Sequence, residues 1–182
     1  MNHRRSLLLF LMCATGLINF RVAMAVEQTV VPKVTFYTGD FLRTLTAGGL
    51  TYMVETESHW GATAEMILGG TATDQGARPF VSDGELFLIT DLGVLYGMPV
   101  RLGLSESAWT GSLYSTAGPM RIQLGDVTGW GGFLGGGLDI HTPIRWLGIN
   151  FDVKNFFYSV PNPNGGNFNV DIDLTVGPSF RF

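Results

Sequence analysis

Cysteine is all but missing. The single one in 182 residues is Cys13, and it falls within an apolar N-terminal stretch, so no disulfide framework can staple the remainder of the chain. The residue before it is Met12, where lipid attachment calls for a small one, and the cysteine lies inside the apolar stretch. A lipid anchor at Cys13 is therefore set aside. Charge is scarce too. Asp, Glu, Lys and Arg make up 14% of the chain against about 25% in soluble domains. A soluble sheet protein of this size needs more polar surface than that to coat its outside. Long apolar runs are absent beyond Ser6–Ile18, which is shorter than the ~20 residues a spanning helix requires. Basic charge is the scarcest of all: after Ala25 the chain carries 8 basic and 15 acidic side chains, a formal net charge of −7. That balance excludes nucleic acid as a partner.

What is present begins with a leader. Arg4 and Arg5 precede the apolar run, and Ala23-Met24-Ala25 is an A-x-A-like cleavage site ahead of Val26. Residues 1–25 thus read as a secretory signal peptide cut after Ala25. No linker, charge block or low-complexity segment interrupts residues 26–182, which read as one domain. Glycine is abundant, at 25 residues.

The last sixteen residues hold the strongest pattern. Phe168, Val170, Ile172, Leu174, Val176, Pro178, Phe180 and Phe182 alternate with Asn167, Asn169, Asp171, Asp173, Thr175, Gly177, Ser179 and Arg181. Strands in soluble proteins average about 5–6 residues, whereas a tilted strand crossing a bilayer needs about 9–11 plus its interfacial ends. The chain ends on Phe182, and an aromatic terminus after alternating apolar residues resembles the signal by which outer-membrane barrels are recognised for insertion. Phe180 and Phe182 are assigned that role.

Alternating segments bounded by turn residues predict strands near 33–41, 44–55, 59–70, 84–96, 99–112, 129–141, 146–158 and 167–182. The fold class expected is all-β: a closed antiparallel up-and-down transmembrane β-barrel of about eight strands, with both termini periplasmic. Short turns are expected at Glu55–Ser58, Gly97–Met98 and Thr142–Arg145. Longer outer loops are expected at Gly70–Asp83, Leu113–Thr128 and Ser159–Gly166, with the short Asp40–Arg43 connection as the exception. Aromatic residues form two sets at the strand ends, as a barrel in a bilayer requires. One is Tyr52, Trp60, Tyr96, Trp146, Phe180 and Phe182; the other is Phe36, Tyr37, Trp109, Trp130, Phe157, Tyr158 and Phe168.

The runs Tyr37-Thr38-Gly39-Asp40-Phe41, Thr46–Tyr52 and Trp60–Glu65 look like the opening hairpins of small Gram-negative outer-membrane barrels. Gly135–Ile140, Arg145-Trp146-Leu147, Asp152-Val153-Lys154 and Gly177–Phe180 resemble a family described only as an outer-membrane β-barrel domain. The resemblance implies a fold and a location in the cell outer membrane, and some members of that family are thought to belong to envelope-spanning machinery. It implies no activity.

For the lumen, the last hairpin predicts Lys154 opposite Asp171 and Asp152 opposite Asp173. Glu65, Arg101, Asp139 and Arg181 are expected to join them in an ion-paired filling, with His141 alongside. Eight strands leave room only for side chains, so the expected role is a structural anchor or interaction platform in the envelope. The alternative is a narrow path for small ions or solutes. A lipid-modifying enzyme is the most distant reading. His59 and His141 both lie near turns, Ser58 points to the opposite face from His59, and His141 shares a face with Asp139 but has no serine in reach. No catalytic set, no metal cluster with ligand spacing and no cofactor is expected. Expected partners are outer-membrane lipids including lipopolysaccharide, the barrel-assembly machinery, and other envelope proteins. Asn162-Pro163-Asn164-Gly165-Gly166 reads as turn chemistry, and the glycines at 131–132 and 135–137 as allowing curvature and close interior packing.

Overall fold

The computed structural model describes residues 26–39, 45–70, 86–102, 109–160 and 167–182. The leader with Ala23 and Ala25, the Asp40–Arg43 connection and the Asn162–Gly166 turn lie outside the described residues. Eight strands run antiparallel: β1 (Val26–Gly39), β2 (Leu45–Thr56), β3 (Trp60–Gly70), β4 (Leu86–Leu102), β5 (Trp109–Leu124), β6 (Val127–His141), β7 (Leu147–Val160) and β8 (Asn167–Arg181). Each pairs with its sequence neighbours, and β1 with β8, to close the barrel.

The stagger of the barrel follows from its partners. From Glu27 the ladder leads through Glu55, Gly61, Leu95, Thr116, Gly135, Lys154 and Asp173 back to β1 at Tyr37, ten residues on. On eight strands such a stagger tilts each by roughly 40° to the axis. The β1–β8 ladder breaks between Val30 and Val34, around Pro32, and the β4–β5 ladder breaks where Gly118-Pro119 runs opposite Leu92-Gly93. Proline has no N–H to give a ladder, so both gaps are chemically determined.

An even strand number leaves Val26 and Phe182 at one end, the terminal end; the opposite end is called the loop end. Two expected connections are corrected. Gly97-Met98 is no turn: β4 passes straight through it. Gly97 faces inward, and a Cβ there would come within 2.6 Å of the Glu55 carboxylate, so glycine serves packing at this position. Leu113–Thr128 is no long loop either. It is strand β5 followed by the two-residue turn Gly125-Asp126, in which Gly125 takes φ 53°. The real β4–β5 connection is 103–108, at the terminal end. Trp109, expected toward the outer ends, therefore lies at the terminal end.

Outward positions are predominantly apolar on every strand, from Phe36 and Leu68 to Leu134, Val153 and Leu174, all exposed. Exposed Trp60, Tyr96, Trp109, Trp146 and Phe182 ring the terminal end, while Phe36, Trp130, Phe157 and Phe168 ring the other. Trp60 packs on Tyr96 and Trp146 stacks on Phe180. Tyr37 and Tyr158 are not part of the outer ring, because both point into the lumen and are buried.

Inside, the filling is layered. Toward the loop end Tyr37, Ile67, Phe87, Ile89, Met120, Ile122, Phe133 and Phe156 form one apolar cluster. Toward the terminal end Val31, Met53, Leu95 and Tyr114 form a second. The inward glycines of β6 make room for large neighbours. A Cβ at Gly135 would meet Lys154 at 2.6 Å, and one at Gly137 would meet the Tyr114 hydroxyl at 2.4 Å.

Candidate functional site: the lumen and the terminal vestibule

Between the two apolar clusters lies a charged layer. Lys33 on β1, Glu65 on β3, Asp91 on β4 and Asp152 and Lys154 on β7 all occupy inward positions of their strands and are buried. Lys154 Nζ donates to Glu65 Oε2 at 2.7 Å and to Asp91 Oδ2 at 3.0 Å. Lys33 Nζ donates to the same Glu65 oxygen, as does Thr51 Oγ1 at 2.7 Å. Asp152 stands 4.0 Å from Lys33. The Lys154 ammonium also sits 4.6 Å from the centre of the Phe133 ring, a cation–π contact that joins the charged layer to the apolar one.

Asp173, level with this layer, accepts a 2.6 Å hydrogen bond from Thr175. Its ladder partner is Lys154, and that of Asp171 is Phe156. This corrects the expected pairing of Lys154 with Asp171 and of Asp152 with Asp173: the hairpin is displaced by two residues, which preserves the faces and changes the partners. Asp171 instead accepts from the Tyr158 hydroxyl, nearer the loop end. Asp139 lies beyond the terminal apolar cluster, where it accepts from Ser179 and stands 3.5 Å from His141 Nε2. Arg101 is exposed near the end of β4, away from the charged layer. Arg181 reaches Glu27 at 3.9 Å and the Leu147 carbonyl at 3.4 Å. The residues expected to share one network thus occupy three levels, and only Glu65, Asp152, Lys154 and Asp173 stand at the central one.

The terminal end opens into a vestibule of about 540 Å³ lined by Glu27, Glu55, Glu57, His59, Asp139 and His141 among others. His59 Nδ1 lies 3.3 Å from Glu55, and His141 Nδ1 lies 3.4 Å from the Thr110 hydroxyl. Ser58 hydrogen-bonds with Thr56. Among the described residues no group of three or more His, Cys, Asp or Glu side chains is placed to share a metal ion.

No family model matches the chain, and no curated protein does. Among solved structures, Neisserial surface protein A superposes with a TM-score of 0.52 at 8% identity, over 86% of this chain and 97% of that one. The fold is that of an outer-membrane β-barrel. The attachment invasion locus protein Ail of Yersinia pestis (12% identity, TM-score 0.44, 86% and 97% covered) and a major outer membrane protein of Thermus thermophilus (15%, 0.43, 87% and 100%) have similar folds.

In an outer-membrane barrel of eight strands the interior either is filled by side chains or holds one small ligand. Here it is filled, by two apolar layers with an ionic layer between. Two members of the ionic layer, Lys33 and Asp91, were not predicted. The signal that could have found them is a charge at mid-strand in a segment with few charges, since Lys33 and Asp91 are the only charges in residues 28–39 and 86–100. A mid-strand charge in a membrane-length strand belongs on the inward face.

Proposed function

We propose that the protein is an integral outer-membrane barrel with a closed lumen that serves as a structural anchor or interaction platform in the cell envelope and has no catalytic role. The observation that carries this reading is the double closure of the lumen. The cluster around Phe87 and Phe156 lies on one side of the charged layer, and the cluster of Val31, Met53, Leu95 and Tyr114 on the other. The apolar wall supports contact with lipid, and the two aromatic rings support a bilayer position between them. With the wall against lipid and the lumen filled, the surfaces left for partners are the connections at both ends and the vestibule. The even strand number and the long 71–85 connection support placing the terminal end in the periplasm.

Two measurements test this. In planar bilayers the purified barrel is expected to show no discrete conductance. Mild-detergent pull-down from native envelopes is expected to recover partners at near-equal stoichiometry; recovery of the barrel alone would end the anchor reading. One observation favours a second reading, a narrow cation path: Glu65, Asp91, Asp152 and Asp173 outnumber Lys33 and Lys154 in the central layer. Discrete currents whose selectivity changes with Asp152→Asn or Asp173→Asn would replace the first reading with this one.

A further inference from the structure

The outward faces of the eight strands carry a single charged side chain among the described residues, Arg121 on β5. Every other outward position holds an apolar residue, glycine, proline or an uncharged polar group. Arg121 sits three residues before the end of β5, level with the aromatic ring at the loop end. Its ladder partners are Trp130 on β6 and Thr90 on β4. The guanidinium lies over the Trp130 ring, 5.7 Å from its centre, and its Nη2 donates to Gln123 Oε1 at 3.4 Å. Gln123 Nε2 in turn donates to the Gly125 carbonyl at 3.4 Å. No described carboxylate pairs with Arg121, and its Nε–H makes no hydrogen bond.

We infer that Arg121, oriented by Trp130 and Gln123 and flanked by Thr90, binds the phosphate of a lipid headgroup at the loop-end interface. A cation held on a lipid-facing wall needs an anion at the same depth, and headgroup phosphates are the anions found there. Guanidinium presents a planar fork of donors that fits phosphate oxygens, and the indole face holds that plane in place. Below Thr90 the wall continues through Leu92 and Val94, beside Ala64 and Ala62 on β3, an apolar surface for the acyl chains of the same lipid. The inference rests on the membrane reading above and adds the ligand class and the residues that select it.

The test uses the full barrel in maltoside micelles, with retained lipid counted by native mass spectrometry. Bisphosphorylated lipid A is offered against the same lipid fully dephosphorylated, and inorganic phosphate is supplied in a third arm as competitor. The wild type is expected to retain the phosphorylated form about tenfold better and to keep it in the presence of millimolar inorganic phosphate. Arg121→Gln should abolish the preference, and Arg121→Lys should keep part of it. Equal retention of both lipids by the wild type, an unchanged preference in Arg121→Gln, or full displacement by inorganic phosphate would each overturn the assignment. Sidedness is read separately, by labelling Asp126→Cys with an impermeant maleimide on intact cells. Absence of label there would reverse the proposed orientation of the barrel and leave the micelle result standing.

Discussion

Lys154 is the residue on which the interior converges. Its ammonium is shared by Glu65 and Asp91, lies against the Phe133 ring, and is 1% exposed. Breaking a buried ion pair from one side leaves the other charge uncompensated, which costs about 3–5 kcal/mol. Lys154→Met, similar in volume, is expected to destabilise the folded barrel by that amount in urea titrations in lipid vesicles. Adding Asp91→Asn to the same chain should recover a good part of the loss. A Lys154→Met cost under about 1 kcal/mol, set against that expected range, would show that Lys33 alone neutralises the layer. Lys154 could be found from the sequence because β8 alternates cleanly and so does the Asn150–Lys154 stretch of β7, with Asn150, Asp152 and Lys154 inward. Lys33 and Asp91 were obscured because apolar residues occupy both faces beside them, at Val30-Val31-Pro32 in β1 and at 86–89 in β4. Leu86-Phe87-Leu88-Ile89, for example, gives no sign of which side faces the lumen.

At the scale of the strand, composition misled at two sites, both in the β4–β5 hairpin. Gly97 and Gly118-Pro119 carry turn chemistry, yet both lie inside strands: Gly97 makes room for Glu55, and Pro119 falls at a gap in the β4–β5 ladder. Local propensity cannot see either neighbour, so the predicted fourth strand ends six residues early and the predicted fifth, 99–112, overlaps β5 only at 109–112, while the sixth to eighth agree with β6, β7 and β8 to within two residues. The faces of β8 lead to a direct test. Leu174 is outward and 48% exposed, while its neighbours Asp173 and Thr175 are buried. Leu174→Arg, near mid-wall, is expected to cost about 2–4 kcal/mol in a bilayer, and a negligible cost would mean the wall does not meet hydrocarbon. Phe182, expected from the sequence to act as an insertion signal, offers a test that separates assembly from stability on the same strand. Its ring is 80% exposed, and its N–H donates to the Gln28 carbonyl at 3.0 Å. Deleting Phe182 should therefore cost the finished barrel about one hydrogen bond, roughly 1 kcal/mol, yet slow insertion by the assembly machinery several-fold. Equal insertion rates in a pulse-chase experiment would remove its role as a signal.

At the scale of the whole molecule, the closed lumen proposed above amounts to two seals in series around an ionic spacer. Phe156 is fully buried in the loop-end seal, where its ring lies 6.1 Å from that of Tyr37 and 6.3 Å from that of Phe133. Leu95, 2% exposed, belongs to the terminal seal with Val31, Met53 and Tyr114. An apolar constriction blocks ions by excluding water, so either seal alone suffices. Phe156→Ala and Leu95→Ala are each expected to cost roughly 2–5 kcal/mol as cavities and to remain non-conducting, with folding verified by the gel mobility of the unheated barrel. The double variant should conduct in discrete steps. Its current should favour cations, because the spacer between the seals holds four carboxyl groups and two ammonium groups. Adding Asp173→Asn should then reduce that selectivity without closing the path. Conduction by Phe156→Ala alone would show that the terminal layer is no barrier and would turn the vestibule into the mouth of a channel with one gate. Silence from a folded double variant would show that the paired lysines and carboxylates themselves occlude the lumen.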